Sequence, residues 1–396
     1  MNRIFILLFS FMTFSAFANT GTPSDMQDSK MNLDFNQGVV MSHEPSHFKM
    51  KTRFRLQNRF TLEGEHEDRE QVKSSEFLIR RARLRFEGTV LDPGLFYRIQ
   101  LSFTRQDQDW DNTGVPNILR DAVVGYSFNK QHQVFLGVTK LPGNRQRVVS
   151  SGALQFVDRS ILNATLNVDR DQGVQGRHTF GQSAPLEVSW AFTNGEGRGT
   201  TNSDSGMSYT SRLEWYPLGE FKDGGNYYEG DLVREESPKL ALAVSANNNR
   251  RTNRTGGQIG QAFTTGETRT LETLFADGLL KYHGWAFSFE AAKRNSRAPL
   301  VSSTRTVFVG KSLNVQASKI FENNMEYALR YSKLDAENII SSKVNDQRQF
   351  ALGISKYINK HAVKVQGDLT FNELTNPSTP LYQSNWIARV QVELGI

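Results

Sequence analysis

The chain has 396 residues, with 47 Lys and Arg against 41 Asp and Glu, a formal charge of +6, 27 Phe, 31 Gly and no Cys. The missing cysteines exclude disulfides, thiolate metal sites and a lipidated cysteine anchor. No stretch approaches the roughly 18 consecutive apolar residues of a transmembrane helix, a test that strand-built membrane proteins escape because half of each strand faces water.

Met1–Arg3 is a short basic start, Ile4–Phe14 an apolar run, and Ser15-Ala16-Phe17-Ala18 ends in an A-x-A pattern. This reads as a secretory signal peptide cut after Ala18, followed by a periplasmic segment over 19–47. From residue 48 to the end the sequence alternates with period two, giving sixteen candidate strands. "KMKTRFRLQNRF" (49–60) places Met50, Phe54, Leu56 and Phe60 on one face and Lys49, Lys51, Arg53, Arg55, Gln57 and Arg59 on the other. "RARLRFEGTV" sets Ala82, Leu84 and Phe86 against Arg81, Arg83, Arg85 and Glu87, and "LFYRIQLSF" sets Leu95, Tyr97, Ile99, Leu101 and Phe103 against Arg98, Gln100 and Ser102. Later examples include "LEVSWAF", "WAFSFEA", "MEYALRYS" and the final "NWIARVQVELGI".

The connectors alternate between long and short. Long polar loops fall at 64–75, 105–117, 247–268, 293–304, 334–347 and 372–384; short turns fall at Asp92-Pro93-Gly94, Asn129–His132, His283-Gly284 and Asn359–His361. This is the signature of an even-stranded up-and-down transmembrane β-barrel whose short turns face the periplasm. Segment 217–238 breaks the rule by being long where a short turn is due, and is read as either an elaborated turn or a hidden strand. The last strand carries Trp386, Ala388, Val390, Val392, Leu394 and Ile396 on one face, which suits closure of a barrel. A secreted β-sandwich also alternates, but leaves the loop-length pattern and the apolar terminal strand as coincidences.

A barrel explains the two-faced opening strand: outward residues meet lipid and inward ones meet water. Inward neighbours lie about 7 Å apart, so Lys51 to Arg59 spans about 27 Å of strand and about 20 Å of pore axis. Like charges opposite one another across strands are destabilising, so fold stability offers no reason for such a wall. Lys51, Arg53, Arg55, Arg59, Arg81, Arg83, Arg85 and Arg98 are therefore the candidate anion pathway. Arginine's planar fork suits phosphate, and each rung must be attractive enough to fill and weak enough to empty. Elsewhere the inward charges read as mixed pairs in a roughly neutral, hydrated wall: Arg212 with Glu214, Asp277 with Lys281, Glu326 with Arg330, Lys364 with Asp368 and Arg389 with Glu393.

The segment "LPGNRQRVVSSGALQFVDRSILNATLNVDRDQGVQGR" (141–177), with "FLIRRARLRFEGTV", "FADGLLKYHGWAFSFEAAKR" and "EYALRYSKLD", resembles the phosphate-selective porins O and P over most of 48–396. The resemblance implies a sixteen-stranded outer-membrane porin, a homotrimer, and passive anion uptake with phosphate or polyphosphate as cargo. It also implies a long outer loop, about 141–170, folded into the pore. On that loop Arg145 and Arg147 become candidate constriction residues, Arg159 and Arg170 structural ones. Asp158, Asp169 and Asp171 are placed to neutralise part of the ladder, leaving it paired near the constriction and free towards the periplasmic mouth.

The expected partners are inorganic anions (phosphate, polyphosphate, chloride), outer-membrane lipid and lipopolysaccharide, with no cofactor, no metal and no nucleic acid. An outer-membrane enzyme is disfavoured because the seven histidines form no Ser/His/acid arrangement and no metal-ligand spacing. An adhesin needs no basic lumen. A general porin with weak anion preference stays open as the alternative to a phosphate channel.

Overall fold

A computed structural model describes residues 29–34, 38–65, 72–109, 114–199, 206–263, 266–302, 304–376 and 382–396. The signal-peptide segment and residues 66–71 and 110–113 of two long loops lie outside the described residues. Sixteen antiparallel strands close a barrel, in chain order: β3 (Phe48–Glu65), β4 (Val72–Val90), β5 (Asp92–Ser102), β6 (Leu119–Ser127), β7 (His132–Lys140), β8 (Arg170–Phe180), β9 (Leu186–Thr193), β10 (Ser208–Trp215), β11 (Lys239–Thr252), β12 (Arg269–Tyr282), β13 (Trp285–Asn295), β14 (Gly310–Ile320), β15 (Met325–Ala336), β16 (Asp346–Asn359), β17 (Val363–Thr375) and β18 (Tyr382–Gly395). Each pairs with its chain neighbour, and β18 returns to β3 in a register running from Asn385↔Glu65 to Gly395↔Arg55. Ile396 exchanges two backbone hydrogen bonds with Phe54 at 2.9 and 3.0 Å. Closure removes the edge that a flat sheet would expose to lipid.

Two further strands precede the barrel, β1 (Ser29–Asp34) and β2 (Gly38–His43). They form a hairpin, and β2 pairs with the first five residues of β3, Val39↔Thr52 to His43↔Phe48. It occupies the same edge of β3 as β18, one end below the other. The N-terminal segment thus extends the sheet at the short-turn end.

Period two sorts the side chains as lipid and water require. Val124, Leu136, Val244, Leu274, Leu329, Phe350, Leu352, Val390 and Val392 are exposed on the outer face, while their strand neighbours turn inward. One irregularity matters for the lumen. The β3–β4 register jumps between Gln57↔Arg81 and Asn58↔Ile79, leaving Arg80 as the extra residue of a β-bulge. The bulge keeps Phe77 and Ile79 exposed on the outer face and brings Arg80 to the lumen beside Arg81.

The lumen is filled on one side. Loop 141–169 carries short helical segments Arg145–Val148 and Ile161–Leu166, the second capped by Ser160. Its Leu141, Leu162, Leu166 and Val168 cluster with Phe275 and Leu271 of β12 and with Phe263, Phe308 and Ile340 of three other long loops. Segment 217–238 resolves into an elaborated turn containing the 3-10 helix Lys222–Tyr227, with no strand. It runs beneath the short turns of β12–β15. Lys281 Nζ donates to Gly225 O and Gly230 O (2.8 and 2.7 Å), Gly284 N to Asp231 Oδ2 (2.7 Å), and Arg234 Nη2 to Phe321 O (2.6 Å). Its inner end meets the pore loop, where Glu229 N donates to Ala153 O and Gln155 N to Glu229 Oε2.

Candidate functional site: a basic lumen wall

The pore loop packs against β10–β17 and also reaches β18, β3 and β4, while Arg53, Arg85 and Arg98 on β3–β5 stay part-exposed. On this basic wall like charges stand directly opposite in the ladder, Arg53↔Arg85 and Arg55↔Arg83.

Two arginine cages result, each closed on one carboxylate. In the lower one Glu87 meets Arg53 (2.5 Å), Arg85 and Arg98 (3.5 Å), with Lys51 directly across the strand pair. Four cations face one acid. Asp121 on β6 is near enough to act on Arg98 and Arg85, but Arg170 engages both its oxygens at 3.1 and 3.2 Å, so it offsets little of their charge. Arg53, Arg85 and Arg98 keep 36%, 29% and 38% of their side-chain surface exposed. In the upper cage Asp158 of the pore loop meets Arg59 (2.6 Å), Arg389 (3.2 Å) and Arg80 (3.9 Å), while Arg389 also holds Asp368 at 2.7 Å. Burial alone pushes the Asp158 carboxyl up. The guanidiniums of Arg389, Arg80 and Arg59 outweigh it and hold the group well below the usual carboxylate range.

Between the cages the loop touches the ladder. Arg55 Nη1 donates to Ser150 Oγ at 3.0 Å and its Nε lies 3.0 Å from Glu393. Arg83 binds Asp107 through both Nε and Nη2 (2.5 and 2.6 Å) and Ser151 Oγ at 3.0 Å. Arg81 is buried and donates to Gln57 Oε1 at 2.7 Å. Burial opposes ionisation of Asp107, but Arg120 and Arg83 more than compensate and keep its carboxyl low. From Arg53 to Arg59 the cages lie about 20 Å apart along the strand.

The loop arginines have other partners. Arg145 is only 5% exposed; its Nε donates to Asp277 (2.9 Å) and its Nη2 to Glu214 (2.7 Å). Arg212 bridges the same two acids and donates to Gly143 O at 2.8 Å. Arg147 pairs with Asp169. Arg159 donates to Gln146 O and Val149 O at 2.6 and 2.9 Å, bracing the loop against itself. Arg145 thus sits in ion pairs that hold the loop to the wall, and Arg147 in one that closes the loop on itself.

The expected neutral, hydrated wall needs correction. Arg212 with Glu214 exists at 3.0 Å, but the other four same-strand pairs do not form. Asp277 goes to Arg145 and Arg212, Lys281 to backbone carbonyls, Arg389 to Asp368 and Asp158, Lys364 to Glu393 at 3.6 Å, and Glu326 accepts from Tyr357 Oη at 2.5 Å. Residues i and i+4 on a strand stand about 14 Å apart, beyond side-chain reach, so cross-strand and loop partners win. Sequence reasoning also missed Arg80, and it placed Arg389 inward but with Glu393 rather than Asp158 and Asp368. The adjacent Arg80-Arg81 pair was the available signal, since two successive arginines on a strand reach one lumen only across a bulge.

The sequence model of the family "phosphate-selective porin O and P" matches residues 48–263, more than half of the chain. The chain belongs to that family. No curated protein matches it in sequence. Among solved structures, this porin superposes on OmpF of Salmonella typhi in complex with daunomycin, with TM-score 0.57, 15% identity, and 90% of this chain and 100% of that one covered. It also superposes on OprB of Pseudomonas putida at high pH (0.56, 9%, 88% and 94%) and on a mutant of the Rh. blastica porin (0.51, 12%, 88% and 100%). At these identities the likeness is one of fold. The porin is an outer-membrane channel rather than an enzyme.

One titratable group sits at the joint between turn and pore loop. The half-buried ring of His361, in the β16–β17 turn, stacks on Tyr228 at 4.5 Å and meets Tyr357 edge-on at 5.2 Å. Burial, then Lys364, Lys281 and Arg55, push its pKa down. The docked state therefore excludes a proton that a free imidazole binds, so docking is fully held above about pH 6.5 and weakens as pH falls below it. Open-channel current noise should rise as pH falls below about 6.5. His361→Phe, which keeps the stack without the proton, should flatten that rise; an unchanged pH profile in the variant would remove His361 from the joint.

Proposed function

We propose that this porin conducts anions by passive diffusion along Lys51, Arg53, Arg55, Arg59, Arg81, Arg83, Arg85 and Arg98, with phosphate or polyphosphate as cargo. Lys51, Arg53, Arg85 and Arg98 form the accessible station, Arg59 the station at Asp158, and Arg55, Arg81 and Arg83 the wall between them. The observation that carries this is the lower cage, where four cations face the single carboxylate of Glu87 and stay part-exposed to the lumen. Guanidiniums bind phosphate oxygens two at a time, and a carboxylate already at the centre of three of them occupies the place an oxyanion would take. Arg145 and Arg147 act in this reading through the loop they hold, which sets the width left along the wall. The homotrimer is the assembly that the family resemblance implies.

The test is single-channel recording in a planar bilayer under a KCl gradient, with phosphate then titrated in. Reversal near the chloride potential with millimolar or tighter phosphate block of chloride current is the expected result. Anion preference without phosphate block would reduce the protein to a general anion porin, and cation preference would overturn the reading.

A further inference from the structure

The inward face of a porin strand should be polar, and two inward positions beside the lower cage are not. Phe96 of β5 lies two residues from Arg98, on the same face and on its periplasmic side, about 7 Å along the strand. It stands directly opposite Gly125 of β6, and Gly125 directly opposite Phe135 of β7. The two rings lean together over that glycine, edge to face, with centroids 6.3 Å apart. A Cβ at Gly125 would come within 2.5 Å of the Phe96 ring and of Phe135 Cβ, so only glycine lets the rings meet there. Val123 adjoins them, directly opposite Arg98, and Gly137 beyond it contributes no side chain.

Neither ring is fully covered. Phe275, inward on β12, is buried beneath the pore loop, whereas Phe96 and Phe135 stay half-buried. Their remaining surface is apolar area that gains by leaving water. The neighbouring anion station is unfilled in its own way. Arg85 and Arg98 each keep a buried Nε without a hydrogen-bond partner among the described residues. A cation cluster bordered by an apolar floor is complementary to an anion that carries an apolar group. Bare phosphate would use the cations and leave the floor wet.

We propose that the lower cage and the Phe96–Phe135 floor together form a binding site for aryl phosphate monoesters, the phosphate on Arg98 and its neighbours and the ring against the two phenylalanines. The proposal rests on the anion pathway put forward above and adds a preference that the cations cannot supply, because guanidiniums read only the phosphate oxygens. Ring-on-ring contact supplies the gain.

Block of chloride current through the full-length porin in a planar bilayer tests it, with inorganic phosphate, phenyl phosphate and phenol as probes at about pH 8.5, where both phosphates are doubly charged. Phenyl phosphate should half-block at about a fivefold lower concentration than inorganic phosphate, and phenol at the same concentration should not block. Phe135→Ser and Phe96→Ser should each bring phenyl phosphate back to the inorganic level, with block by inorganic phosphate unchanged. Phe135→Tyr, which keeps the ring, should retain the gain. Equal block by the two anions in the wild type, or a gain that survives both serine variants, would overturn this inference and leave the anion pathway standing. Block by phenol alone would also overturn it, since the floor would then act without the cage. Absence of block by either anion would remove the anion pathway, and this site with it.

Discussion

Arg145→Met should unlatch the pore loop, giving a larger and noisier channel in a barrel that still folds. Arg145 and Arg212 together balance Glu214 and Asp277, all four buried, so the network is neutral as it stands. Removing one guanidinium leaves two buried carboxylates sharing the other. Breaking a buried pair in this way costs about 3–5 kcal/mol, more than the remaining local contacts of loop residues 143–149 readily offset. The cost falls on the loop because the sixteen-strand ladder is untouched by it. Gln146 N, which donates to Glu290 at 2.6 Å, and Gly143 O, which accepts from Arg212, are the contacts expected to go next. Single-channel conductance and protease nicking near residue 150 are the readouts. Arg145→Lys, which keeps the charge but loses the two-pronged geometry, should fall between wild type and Arg145→Met. Adding Asp277→Asn should recover part of the loss by restoring neutrality. A quiet channel of wild-type conductance in Arg145→Met would show that the latch does not hold the loop.

The barrel was legible because its physics is local. Period two is written into each strand, and every residue from Lys51 to Arg59 declares its face without knowledge of its neighbours. The connectors declared the topology for the same reason. What stayed hidden depends on distant partners. Asp107, in the long polar loop 105–117, turns inward to Arg83 and Arg120, and nothing in its own neighbourhood signals that. Arg389 was matched with Glu393 on its own strand, yet strand rise puts them out of reach and Asp368 and Asp158 take its place. Segment 217–238 was flagged by its length alone. Its content, a turn that supports the pore loop from below through Glu229, became visible only when Gln155 and Gln146 were brought against it. Charges on the wall could be counted from sequence, but their neutralisation could not, because Asp107 and Asp158 arrive on loops and Asp368 and Glu393 from neighbouring strands.

Glu87→Gln separates counting from neutralisation, and should make the channel more anion-selective while slowing its saturated phosphate flux. Glu87 is the one acid in the lower cage, so its loss raises the local balance from three net cations to four, counting Lys51, Arg53, Arg85 and Arg98. Glutamine keeps the volume and an oxygen for one guanidinium, so the arginines hold their places. At the part-exposed depth of this site one charge is worth about 1 kcal/mol or somewhat more, which is about fivefold in anion occupancy. Chloride-to-potassium permeability should rise by a similar factor and the phosphate concentration for half block should drop. Maximal phosphate conductance should fall at the same time, because a station that binds more tightly empties more slowly. Arg85→Ala should do the opposite in both respects. The salt dependence distinguishes this from altered pore width: both changes should shrink as ionic strength rises towards 1 M, where screening acts within about 3 Å, whereas a widened constriction would persist. If Glu87→Gln and Arg85→Ala shift selectivity in the same direction, the cage is not an electrostatic station and the ladder does not carry the anion.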